Sequence, residues 1–75
     1  MTVIAPRVAV YPQVHSGKPV IEGTRVPVSV VVGAVAAGDS IEQIAGEYGI
    51  TPEDVRAALS YAARLLEDET VRAPH

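Results

Sequence analysis

Seventy-five residues suffice for a single domain, and six Lys or Arg against nine Asp or Glu leave a net charge of −3. That balance excludes a protein that coats nucleic acid indiscriminately, because affinity for phosphate comes largely from Lys and Arg. With no cysteine, and with His15 and His75 as the only histidines, disulfides, thiolate sites and two-histidine metal sites are excluded, and no metal or cofactor is expected.

A chain this short buries only about 60% of the surface it exposes when unfolded, so a partner, most simply a second copy, is expected to help stabilise it. Residues 1–38 carry Arg7, Lys18 and Arg25 against Glu22, a net of +2, and residues 39–75 carry Arg56, Arg64 and Arg72 against eight carboxylates, a net of −5. Phosphate contact is therefore better served by the first half, and a protein partner by the second. Met1 to Val10 lack the charged start and long apolar run of a signal peptide. The apolar stretch Val30 to Ala37 is broken by Gly33 and too short to span a bilayer, so a soluble cytoplasmic protein without membrane contact is expected.

Taken in chain order, the β-branched run Arg7-Val-Ala-Val-Tyr11 ends at Pro12, and Pro19-Val-Ile-Glu22 and Gly23-Thr-Arg-Val-Pro27 follow. These predict one or two short strands and tight turns, with Gln13–Lys18 as the connection and Gly17 free to take a positive φ. Two strands alone leave an open edge, which a homodimer formed by strand pairing or exchange would close.

From Val28 onward the punctuation is helical. A first helix is predicted from about Ser29 to Ala37, stopped by Gly38; its valines are apolar nearly all round, which suits the centre of a core. A second begins at Ser40, whose spacing to Gln43 is that of a capping box, buries Ile41, Ile44, Ala45 and Tyr48, and ends at Gly49. Thr51-Pro-Glu-Asp54 announces a third, with a capping threonine, a first-turn proline and carboxylates at the positive end of the helix dipole. Val55, Ala58, Leu59, Ala62, Leu65 and Leu66 form its predicted buried stripe, and it frays near Glu67-Asp-Glu69. The fold expected is mainly α with a short N-terminal β region, a three-helix bundle containing a (winged) helix-turn-helix. Residues 1–69 form its single domain, and 70–75 a tail.

The second and third helices fit the helix-turn-helix pattern: Ala45 is the small residue at the contact, Gly49 the turn, Ile50 its plug, and Val55 and Ala58 face inward. The exposed face of the third helix would carry Thr51, Glu53, Asp54, Arg56, Ala57 and Ser60, and only Arg56 of these is basic. Candidate DNA contacts are Thr51, Arg56 and Ser60 there, with Lys18 and Arg25 from the preceding loops. A bundle without DNA contact is the plain alternative, and for Arg25 an internal salt bridge to Glu22 or to an acid of the helical half.

Catalytic readings fail on chemistry. Gly17-Lys18 is not a phosphate loop, because Pro19 replaces the required Ser or Thr and Pro12 the first glycine. His15 has no nucleophile at a useful spacing, and Glu53 and Asp54 are explained by capping, so no enzyme is expected.

The run Gly17-Lys-Pro-Val-Ile-Glu-Gly-Thr-Arg-Val-Pro-Val28, with Ala36-Ala-Gly-Asp-Ser-Ile-Glu-Gln-Ile44 and Thr51-Pro-Glu-Asp-Val-Arg-Ala-Ala-Leu59, resembles the prokaryotic family known as domain of unknown function four-three-three. The likeness covers about residues 7 to 66, and Gly17, Lys18, Pro19, Gly23, Thr24 and Arg25 are its signature. Glu22 departs from the basic or neutral residue usual there. The resemblance implies a dimeric, strand-preceded helix-turn-helix. It also implies a VapB-type antitoxin of a type II toxin–antitoxin system, which blocks a PIN-like ribonuclease toxin and represses its own operon by binding promoter DNA. Arg64, Leu65, Leu66, Val71 and Arg72 on the last helix and tail are the candidate toxin contacts, with Arg72 placed to pair with the carboxylates of such a nuclease. A stand-alone helix-turn-helix transcription regulator and a dimeric adaptor without DNA binding are the alternatives.

Overall fold

The computed structural model describes residues 1–68. Strands β1 (Thr2–Ala5), β2 (Val8–Val10) and β3 (Val20–Ile21) form an antiparallel sheet in that order, followed by helices α1 (Val28–Ala36), α2 (Ile41–Tyr48) and α3 (Pro52–Asp68). The fold is thus three helices behind a small N-terminal sheet, as expected, and the calls of Thr70 to His75 as a tail, and of Val71 and Arg72 as contacts, lie outside the described residues. No helix among these residues is long and apolar enough to cross a membrane.

The sheet has one strand more than the sequence suggests. β1 pairs with β2 across the tight turn Pro6-Arg7, with an irregularity in register between Val3 and Ala5. Arg7 sits there at φ 64, a left-handed conformation that hairpins usually assign to Gly or Asn, so nothing in the letters announces the turn. The Gln13–Lys18 connection contains a single 3-10 turn, His15–Gly17.

α1 corrects a second expectation. It buries only Val28 and Val31, and Val30 is 39% exposed, so this apolar helix lies at the side of the core and not at its centre. The core is instead shared among Val8, Ile21, Val28, Val31, Ile44, Ile50, Val55 and Ala58, which joins the sheet to all three helices.

α3 corrects a third. Its buried stripe ends early: Val55 and Ala58 are buried, Leu59 and Ala62 half-buried, and Leu65 and Leu66 are 47% and 69% exposed. The cause is length. At 1.5 Å per residue a helix of 17 residues runs about 25 Å, whereas the nine of α1 and eight of α2 run about 13 Å, so the last turns of α3 overhang the body.

α2 forms as its sequence dictates. The Ser40 hydroxyl accepts from the Gln43 N–H, the Gln43 side chain accepts from the Ser40 N–H, and Gly49 closes the helix at φ 67. A Cβ at Gly49 would meet nothing within 4 Å, so the cost of adding one is conformational and not steric crowding. Gly49→Ala should lower the unfolding free energy by roughly 1–2 kcal/mol. Urea denaturation followed by circular dichroism reads this directly, and a midpoint equal to the parent's would mean the left-handed turn is not required.

Candidate nucleic-acid and partner interfaces

Three surfaces carry the candidate residues. The first is the corner between α2 and α3, where Ile50 is 8% exposed and its N–H donates to the Ala45 carbonyl at 3.0 Å, seating the plug against the end of α2. Thr51 and Asp54 then cap α3 reciprocally: the Asp54 N–H donates to the Thr51 hydroxyl at 3.1 Å, and the Thr51 N–H donates to Asp54 Oδ2 at 3.0 Å. Behind this corner Ile44, Val55 and Ala58 are fully buried. In front of it Thr51, Glu53, Arg56 and Ser60 are exposed.

The electrostatics of that face differ from what the sequence alone implies. Asp54 is not a free charge, because the Arg7 guanidinium reaches across from the β1–β2 turn and donates to Asp54 Oδ1 at 3.0 Å. Arg56 lies 3.9 Å from Glu53, an exposed pair of little energetic weight. Burial on its own would raise the Asp54 pKa. Hydrogen bonds from the Thr51 N–H, the Arg7 guanidinium and the Thr51 hydroxyl, with the Arg7 charge, outweigh it and hold the carboxyl below its ordinary value. The acid from the helical half thus finds Arg7; among the described residues Arg25 makes no salt bridge.

The second surface is the loop pair that holds the signature residues. Ile21, Glu22, Gly23 and Thr24 form a turn closed by Thr24 N–H donating to the Ile21 carbonyl at 3.0 Å, with Gly23 at φ 80 where an L side chain would be strained. The Thr24 hydroxyl donates back to the Ile21 carbonyl at 2.8 Å and accepts from the Val26 N–H at 3.0 Å. Gly23 and Thr24 are therefore architectural. Two contacts that the sequence does not disclose tie this turn to its neighbour: the Gly23 N–H donates to the Tyr11 hydroxyl at 2.9 Å, and His15 Nε2 meets the Arg25 carbonyl at 2.9 Å. His15 and Ser16 both take left-handed backbone, φ 48 and 56, which costs about 1–2 kcal/mol each and which these contacts help to hold. Lys18 and Arg25 are left exposed on this rigid loop pair.

The third surface went unnoticed in the sequence. A groove of about 520 Å³ opens between α1 and the overhanging half of α3, floored by Val28, Val32, Gly33, Tyr61 and Leu65, with Lys18 at its margin. A smaller groove of about 120 Å³ continues it toward the sheet, bounded by Ile4, Ala5, Arg64 and Asp68 and sharing Tyr61 and Leu65 with the first. Lys18 thus stands beside the C-terminal half of α3, whereas Arg56 and Ser60 belong to its N-terminal half. Leu66 lines neither groove.

Comparison with known proteins agrees with this architecture. The model of the family described as "Protein of unknown function (DUF433)" matches residues 8–62. A Mycobacterium tuberculosis protein named "Putative antitoxin VapB45" is 40% identical over 47 residues, covering 63% of this chain and 20% of that protein. "Uncharacterized protein y4eO" of Sinorhizobium fredii is 42% identical over 52 residues, 68% of this chain and 24% of that one. Among solved structures, Rv2018 from Mycobacterium tuberculosis matches with a TM-score of 0.65 and 38% identity, covering 69% of this chain and 24% of its own. A DUF433 member from Anabaena variabilis matches with a TM-score of 0.73 and 31% identity, covering 81% and 61%. The matched region spans only a fifth to a quarter of the length of the curated relatives.

Proposed function

The chain belongs to the DUF433 family, and from that premise we propose that it is the antitoxin of a type II toxin–antitoxin pair. On this reading it is a cytoplasmic regulatory protein without catalysis of its own, working as a homodimer. It binds and neutralises a PIN-like ribonuclease and represses its own operon by binding promoter DNA.

The observation that carries the reading is the α2–Gly49–α3 corner, packed from behind by Ile44, Val55 and Ala58, in a chain 40% identical to a protein named as an antitoxin. Such a corner presents the first turns of its second helix to a groove of DNA. Arg56, Ser60 and Thr51 occupy that face, and Lys18 and Arg25 add charge from the loop pair. The toxin docks on the overhang of α3, centred on Leu66, with Arg64 and Leu65 at its edge. An apolar side chain 69% exposed is the kind of anchor a partner pocket fills.

Co-expression with the product of the neighbouring gene, followed by pull-down and a nuclease assay, tests this. Capture and loss of nuclease activity are expected, and Leu66→Asp should weaken capture at least tenfold while leaving the circular dichroism spectrum unchanged. No capture and no inhibition would remove the antitoxin reading. A salt-sensitive gel shift on the chain's own promoter without capture would favour a stand-alone regulator.

A further inference from the structure

We propose that the apolar trough along α3, formed by the two continuous grooves, is the face on which a second copy of this chain docks; this deepens the homodimeric reading above. The first observation is that α1 carries no charged residue between Val28 and Ala36, yet Val30 and Gly33 face outward. A helix apolar on all sides is stable in water only when all sides are covered, and this chain covers one. The second is Gly33, which sits in mid-helix at a cost of about 1 kcal/mol relative to alanine. A Cβ there would meet nothing within 4 Å, so no contact inside the chain calls for its absence. Close approach of another molecule would.

Charge identifies the occupant. The trough has a cation at one end, Lys18, which lines only the first groove, and a carboxylate at the other, Asp68, which lines only the second. Neither is engaged in a salt bridge among the described residues. A twofold axis through the shared centre at Tyr61 and Leu65 sets each Lys18 against the other copy's Asp68 and packs the two apolar floors together. A twofold interface requires this self-complementarity, since each copy offers the same patch. Leu66, outside the trough, remains free for the nuclease.

The mass of the full chain, measured by sedimentation equilibrium from 1 to 100 µM, should be that of a dimer. Leu65→Asp should raise the dimer dissociation constant roughly 30-fold or more, as for a buried anchor residue. Lys18→Glu and Asp68→Lys should each raise it about fivefold, and the double variant should restore it. Lys18 and Asp68 are exposed, so these variants keep the test valid even where Leu65→Asp perturbs folding. A monomer across the range overturns both this proposal and the homodimeric reading. A dimer whose constant ignores the single charge reversals, or is not rescued by the double, overturns the trough alone and moves the contact elsewhere, for example to the free edge of β1. Nuclease capture is read separately, so the antitoxin reading stands or falls by its own assay.

Discussion

Ile44→Ala is expected to lower the unfolding free energy by about 2–5 kcal/mol, the range for truncating a fully buried aliphatic side chain. Ile44 has no exposed surface and is the largest side chain that α2 contributes to the core. It belongs to the same cluster as Val8 and Ile21 of the sheet, Val31 of α1 and Val55 of α3, so its removal opens a void at the junction of every element. A domain of this size has only about 4–11 kcal/mol of stability in total, at roughly 0.05–0.15 kcal/mol per residue. The loss is thus a large fraction of the whole, and no disulfide limits it. Ile44→Val should cost less, about 0.5–1.5 kcal/mol, so the pair forms a graded series. Urea titrations by circular dichroism measure both. Equal midpoints for parent and Ile44→Ala would show that the α2–α3 corner is not held from behind as described, and the interface built on its front would lose its support.

The same cluster shows which parts of this protein are written locally. The corner was legible because each of its signals acts within a few residues: Ser40 with Gln43, the left-handed Gly49, and Thr51 with Asp54. The strands at Val8–Val10 and Val20–Ile21 were legible from β-branched runs bounded by proline and glycine. β1 was not, because its turn uses Arg7 where the pattern calls for Gly or Asn. The position of α1 was not, because an all-apolar helix reads the same whether it is wrapped by its own chain or by another. The Arg7–Asp54 bridge joins residues 47 apart, and no periodicity encodes such a pairing. The signature string around Gly23 is the opposite case: its letters were plain, and only the fold reveals that Gly23 and Thr24 build a turn while Lys18 and Arg25 remain at the surface. The groove between α1 and α3 was hidden for a reason of length, since α3 outruns the elements that would have buried Leu65.

Asp54 is where these local and distant terms meet, and Asp54→Ala should cost about 1–3 kcal/mol. Most of that is capping: the carboxylate accepts from the Thr51 N–H, and deleting such a group leaves a helix-start donor unmet, at about 0.5–2 kcal/mol. The bridge to Arg7 adds less, about 0.2–1 kcal/mol, because the Arg7 side chain is 51% exposed and water screens the pair. A double-mutant cycle with Arg7→Ala should isolate that smaller coupling, and a coupling of zero would mean the bridge holds nothing. The pH dependence follows from the same contacts. The Asp54 pKa is lower in the folded chain than its ordinary value of 3.8, so below that value the unfolded chain binds the extra proton first. The stabilisation is therefore complete above about pH 4 and is lost as the pH falls through the depressed folded value. Asp54→Asn, which cannot titrate, should flatten the decline in stability below pH 4 relative to the parent. The same substitution removes a negative charge from the face assigned to DNA, so it should tighten promoter binding while weakening the fold. Stability and DNA affinity falling together would place the nucleic-acid contact away from the start of α3.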